Sequence, residues 1–375
     1  MKDSQWDSPI QACASFIASH KKKDITGEKA FLEGIDEVSF EISPDHIYEI
    51  PKCHEFRRIG FVDGGTLPII LSADFTINLN RVAGVICNQN TISSPKHCPE
   101  VIEFYSATII NEETDGELYY ITELFPREVR ASLYLPSHPF KLSLKEAKER
   151  RGRTPNIEVF GSIAMRFAEW TYATQFINTE LEEKDILVRD GSLQTGFEDE
   201  IILLDRLIEV ALRKNVYLTG LSKTCRLLTT RGNSLICEVD MIGRKKFPKK
   251  RWYYHPAKRF TRADNQAEVY FIKLHQETSR PFRYDINIDQ SNAMSDTERK
   301  IVLSNLAANS NDLSFIGYPY GLIKADLLSH VSFSELESQK IQVISEFSKE
   351  VYRKYILPRI QSVDAHDILN TLRKS

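Results

Sequence analysis

The chain has 375 residues, of which 42% are hydrophobic and 27% charged, with a formal net charge of -3. This composition excludes a disordered chain and suits one large or two ordinary domains around a sizeable core. The near-neutral balance excludes an overall basic field as the means of holding nucleic acid, so any such binding has to come from a local patch.

In chain order, residues 5 to 20 read as an N-terminal helix with Ile10, Phe16 and Ile17 on one side, ending in Lys21, Lys22 and Lys23. It is expected to form an appendage over 1–55. From Arg57 to Phe125 come "RIGFVDGG", "LPIILSADFTINL", "RVAGVIC", "EVIEFYSATII" and "ELYYITELF", β-branched or aromatic runs bounded by polar turns, which predict an antiparallel meander. A helix fits residues 155–178, with Pro155 in its first turn and Ile157, Phe160, Ala164 and Phe167 at helical spacing. "DILVRDGSL", a helix over roughly 200–213 and "NVYLTGLS" then predict a parallel crossover. "AEVYFIKLH" and "FRYDINID" read as further strands, with helices over about 296–308, 321–330 and 334–356. The expected fold class is α/β: one mixed sheet flanked by helices, with a basic insertion at about 241–262 and C-terminal helices over 336–375 packed on the same domain.

The cysteines Cys13, Cys53, Cys87, Cys98, Cys225 and Cys237 contain no C-x-x-C pair and have no histidine at zinc spacing, which predicts reduced, mostly buried thiols. No window approaches eighteen consecutive apolar residues and the N-terminus carries no apolar signal segment. A cytoplasmic protein without a membrane partner is therefore expected.

Two stretches place an acid at the end of an apolar strand and a glycine after it: Asp63 before Gly64 and Gly65, and Asp190 before Gly191 and Ser192. Two such acids on neighbouring strands can share a divalent cation, since Mg²⁺ and Mn²⁺ prefer carboxylate oxygens; ordinary Asp-Gly turns are the alternative. Glu169 falls on a row with Met165, Ala173 and Phe176, where it either needs a buried partner or pairs with Arg166 at the stripe's edge. Lys223, just past the strand in "YLTGLSKTCRLLT", can hold a phosphate or stabilise a leaving oxygen, or be a solvated loop residue. "RKKFPKKRWYYHPAKR", from Arg244 to Arg259, interleaves cations with Phe247, Trp252, Tyr253 and Tyr254, a composition suited to a nucleic-acid strand. In "FIGYPYGLIKADLLSHVSF", Asp326 and His330 lie four apart and share a helical face.

Taken together, "FVDGGTL", "RFAEW" followed by "ILVRDGSL", then "LTGLSKTCR", "RPFRYDI" and "GYPYGLIKAD" resemble the NurA nucleases over roughly residues 55–335, in that family's order. The resemblance implies an RNase H-like nuclease domain over 56–335 with a manganese-dependent site, magnesium being the alternative ion. It also implies a homodimer enclosing DNA, and work with the HerA hexameric ATPase on DNA ends, by 5'-to-3' exonuclease and single-strand endonuclease action, in repair or in defence against foreign DNA. By motif, Asp63, Glu169, Asp190 and Asp326 would be catalytic metal ligands and Lys223 the catalytic lysine, with His330 as the other candidate for the last ligand. Lys245, Lys246, Lys249, Lys250, Arg251, Trp252, Tyr253 and Arg283 are the expected DNA contacts. Two other readings stand beside this one. A sugar-kinase or actin-like ATPase would need a late glycine-rich adenosine loop, whereas residues 290–340 hold only Gly317 and Gly321. A non-catalytic DNA clamp would bind DNA without metal.

Overall fold

The structure, a computed structural model, describes residues 8–21, 27–32, 34, 36–89, 91–114, 116–151 and 154–363. After helix α1 (Pro9–Lys21) come strands β1 (Glu37–Ser39), β2 (Ile47–Glu49), β3 (Arg58–Leu71), β4 (Phe75–Asn88), β5 (Thr91–Ser93), β6 (Val101–Glu112), β7 (Leu118–Pro126) and β8 (Phe140–Ser143). Helices α2 (Leu144–Arg151) and α3 (Val159–Glu180) lead to β9 (Ile186–Asp190), α4 (Glu198–Lys214), β10 (Tyr217–Ser222) and α5 (Leu235–Lys246). The chain continues through β11 (Trp252–Phe260), β12 (Ala267–Lys273), β13 (Phe282–Asn287), α6 (Ile288–Ala293), α7 (Asp296–Ala308), α8 (Tyr320–Ser329) and α9 (Phe333–Glu346).

All the strands join one sheet in the order β1-β11-β12-β13-β10-β9-β3-β4-β6-β7-β8, with β2 on β11 and β5 on β4. β3 runs antiparallel to β4 and β4 to β6, while β9 lies parallel to both β3 and β10. Counting β3, β4, β6, β9 and β10 as strands one to five, their spatial order is three-two-one-four-five, the arrangement of an RNase H-like core. The central position of β9 explains its composition: Ile186, Leu187 and Val188 are fully buried because helices cover both faces. On one face, Val62, Leu187 and Leu218 pack against Trp170, Ala173 and Phe176 of α3. On the other, Phe61, Val188 and Leu221 meet Leu303 and Leu306 of α7 and Leu322 and Ala325 of α8.

The meander and the parallel crossover match the pattern of the sequence. Other features differ. β3 is one continuous strand, so Asp63 lies near its middle and not at its exit. α3 begins at Val159, and Pro155 stands outside it with its carbonyl accepting from the Tyr120 hydroxyl at 2.5 Å. The described residues from 27 to 55 are not a separate helical appendage, because β1 and β2 pair with β11 and Ala30 bridges Thr229. The basic insertion is likewise built into the fold as the end of α5 and the edge-ward strand β11. The helix expected over 334–356 breaks after Glu346, and the segment beyond it brings Ile356 and Ile360 onto Ile69, Ile70 and Leu79 of the β3–β4 hairpin. Residues 364–375 lie outside the described ones.

Candidate active site

The site is assembled by close packing around β3. Alternation along the strand turns Gly60 and Gly64 toward α3, where a Cβ would collide with Phe176 and Met165, and turns Phe61 and Gly65 toward α8. A Cβ on Gly321 would strike the Phe61 ring, and one on Gly65 would strike the Ser329 carbonyl. Eight helical residues and four strand residues each span about 12–13 Å, so α8 lies alongside β3 and touches it at both ends. Asp63 shares the face of Phe61 and Gly65, and Asp326 comes down to meet it. Gly64 and Gly65 therefore provide room and not a turn: neither has a positive φ. Gly191 is the true turn glycine, at φ +102.

Asp63, Asp190 and Asp326 each offer a carboxylate oxygen, and these oxygens lie within 4.8 Å of one another. The Lys223 ammonium sits 2.7 Å from Asp190 Oδ2 and 2.7 Å from Asp326 Oδ1. The Tyr318 hydroxyl donates to Asp190 Oδ1 at 3.3 Å, and the Gly64 N–H donates to Asp63 Oδ1 at 2.8 Å. Burial, then the charges of Asp190 and Glu169, push the Asp63 carboxyl up to about 9, with Lys223 opposing. Burial and Asp190 also hold the Tyr318 hydroxyl well above its ordinary range, which keeps it a donor. Against its own desolvation, Asp190 raises Lys223, which stays an ammonium.

Glu169 is 2% exposed and sits across β3 on α3. Its Oε2 accepts from Arg189 Nη2 at 2.8 Å, while its Oε1 is buried with no hydrogen-bond partner. Burial raises its carboxyl to about 7, against Arg189. Three converging carboxylates, one of them a carboxyl whose ionisation is suppressed by burial and by its neighbours, fit a hard divalent cation with oxygen ligands, and a fourth carboxylate outside the group has an orphaned oxygen.

The expected residues divide as follows. Asp63, Asp190, Lys223 and Asp326 meet. Glu169 stays outside the tight group, and its partner is Arg189; Arg166 instead binds Glu200, with Nη2 2.5 Å from Oε1. His330 is exposed at the end of α8 and outside the group, with its carbonyl accepting from Arg81 Nη1 at 2.9 Å, so of the two candidates it is Asp326 that joins Asp63 and Asp190. Arg189 and Tyr318 were not among the expected residues. Arg189 carried a signal, since a charged residue next to Asp190 on an otherwise buried strand has to find a partner on the opposite face.

The expected DNA contacts fare unevenly. Lys245, Lys246, Lys249 and Lys250 are exposed, although Lys246 donates to the Pro44 carbonyl at 2.5 Å and Lys250 pairs with Glu49 at 2.8 Å. Arg251 is half-buried. Trp252 and Tyr253 are core residues, 0% and 2% exposed, so their rings cannot stack on bases; Tyr253 instead stacks on Tyr48, with centroids 5.2 Å apart. Arg283 is buried and forks onto Asp285 with two 2.8 Å bonds. The aromatic run lies within β11, with Trp252 and Tyr254 buried on one face and Tyr253 on the other, and is not a base-binding loop. Among the described residues no helix is long and apolar enough to cross a membrane.

No protein-family model and no curated protein matches the chain. Among solved structures it is similar to A. aeolicus Argonaute, with TM-score 0.29 and 10% identity over 72% of this chain and 28% of that one. The C-terminal lobe of a budding yeast Argonaute gives TM-score 0.32 and 12% identity over 79% of this chain and 50% of that one. Ciona intestinalis Endonuclease V, solved with an inosine-containing DNA 24mer, gives TM-score 0.32 and 9% identity over 78% and 89%. The chain thus spans 28% of the first of these. At such distances no activity is carried across, and function is argued from the site itself.

Proposed function

We propose that the protein is a metal-dependent deoxyribonuclease of the NurA type, acting on DNA ends as a homodimer with a HerA-type hexameric ATPase. The observation that carries the nuclease reading is the meeting of Asp63, Asp190, Asp326 and Lys223 from four separated segments at one point of an RNase H-like sheet. The partner, the dimer and the 5'-to-3' direction are supported only by the resemblance of the motifs.

Asp63, Asp190 and Asp326 would hold Mn²⁺ or Mg²⁺, and Glu169, outside that group, keeps Oε1 as its unpaired oxygen. When bound, such an ion activates water and stabilises a departing 3' oxygen. The remaining work belongs to the chain. Lys223, protonated and 40% exposed on its side chain, faces the open side and neutralises a phosphate oxygen entering the cluster. Tyr318 fixes the orientation of Asp190 through its hydroxyl, and the Gly64 N–H does the same for Asp63. The absence of side chains at Gly64 and Gly65 lets α3 and α8 close on the strand.

The test is digestion of end-labelled linear and single-stranded DNA with Mn²⁺, Mg²⁺ or EDTA, beside Asp63→Ala. Metal-dependent cleavage is expected, with a loss in the variant larger than the about 10–100-fold typical of removing an outer-shell partner. The position of the label recovered first reports direction. DNA that is bound but never cut, with or without a cognate HerA, would leave the clamp reading in its place.

A further inference from the structure

We propose that Arg189 is a positioning residue of the site, one guanidinium that sets both Glu169 and the Asp190 turn; this rests on the metal-dependent reading above. Alternation along β9 sends Val188 and Asp190 to the α8 face, and Leu187 and Arg189 to the α3 face. There the guanidinium carbon stands 4.0 Å over the Trp170 ring. Nη2 donates to Glu169 Oε2 at 2.8 Å, and Nη1 donates to the Ser192 carbonyl at 2.8 Å. The first bond leaves Glu169 Oε1 as the only free oxygen of that carboxylate. The second closes the turn that presents Asp190, and it runs past Gly191, where a Cβ would come within 3.0 Å of Nη1.

The brace is itself held from behind. Trp170 Nε1 donates to Glu200 Oε1 at 2.6 Å, and the Gly196 N–H donates to Glu200 Oε2 at 2.7 Å, so the ring under Arg189 is tied to the start of α4. A buried ion pair is often replaceable by apolar groups without loss of stability, so stability alone is a weak reason for this one. A planar fork that reaches two ligand-bearing segments at once does something an apolar side chain cannot. Lysine would keep the charge but would not make both bonds in that geometry.

The experiment is calorimetric titration of the full chain with Mn²⁺ for wild type, Asp190→Asn and Arg189→Lys, each checked by melting. Arg189→Lys is expected to stay folded, to weaken Mn²⁺ binding by about 10–100-fold, and to lower kcat while leaving KM for DNA unchanged. A folded Arg189→Lys protein that binds Mn²⁺ like wild type overturns the proposal. If lysine prevents folding, the neutral pair Glu169→Gln with Arg189→Met is compared with Glu169→Gln alone. A further loss of about tenfold is expected, and equal affinity overturns the role at Asp190. A wild-type chain that binds no Mn²⁺ would sink the metal reading itself, which separates the two failures.

Discussion

Asp63 is a carboxyl that folding makes harder to ionise. Its ordinary value is 3.8 and the folded chain raises it to about 9, so between these pH values the native state holds a proton that the unfolded chain releases. Stability then falls as pH rises across that window. Glu169, raised to about 7, acts in the same direction over a narrower range. The metal-free protein is expected to melt at a lower temperature at pH 8 than at pH 5, and Asp63→Asn is expected to flatten that slope. If the cluster takes Mn²⁺ as proposed, adding it at pH 8 should restore stability, because the cluster exists only in the folded chain. Identical pH slopes for the two proteins would show that Asp63 ionises freely. Asp63, Asp190, Lys223 and Asp326 were each visible in the sequence as a charged residue at the edge of an apolar run. Tyr318 was not, because its role depends on what stands opposite it, and Arg189 showed only that it needed a partner, not which one.

At the scale of elements, the approach of α8 to β3 decides whether the site exists. Gly65 and Gly321 mark the two ends of that contact, and neither is required by backbone conformation. Gly65→Ala should push Ser329 away and carry Asp326 out of reach of Asp63, at an overpacking cost of about 1–3 kcal/mol. The readouts are a lowered melting temperature together with weakened Mn²⁺ binding. Gly34→Ala is the control, since nothing lies within 4 Å of a Cβ there. Retained Mn²⁺ affinity in Gly65→Ala would mean that α8 can stand further from β3 than this packing implies. The glycine pair after Asp63 has the same letters whether it turns or makes room; only the length of β3 tells the two apart.

For the whole molecule, the charge of -3 leaves any DNA binding to local cations. Of the basic segment, Lys250 pairs with Glu49, while Lys245, Lys246 and Lys249 are exposed at the end of α5 and in the turn before β11. Replacing all three by alanine should reduce the salt slope of duplex binding by up to about 0.9 for each phosphate that is no longer neutralised. An unchanged slope would place the DNA path elsewhere. Trp252, Tyr253 and Tyr254, which follow these cations in the chain, do not belong to such a path, because both faces of β11 are buried.

Local pattern alone determined the class of fold and the order of its central elements. The strand alternation of the meander, the apolar run of β9 and the amphipathic α4 are properties of neighbours in the chain, set by periods of two and 3.6 residues. Tertiary structure decided the rest: that β3 runs on through Asp63, that Asp326 and not His330 enters the cluster, that Glu169 answers to Arg189, and that Trp252 and Tyr253 face inward. Each of these is fixed by what packs against the residue from a distant part of the chain, and burial and charge at such meeting points have no counterpart in the spacing of letters.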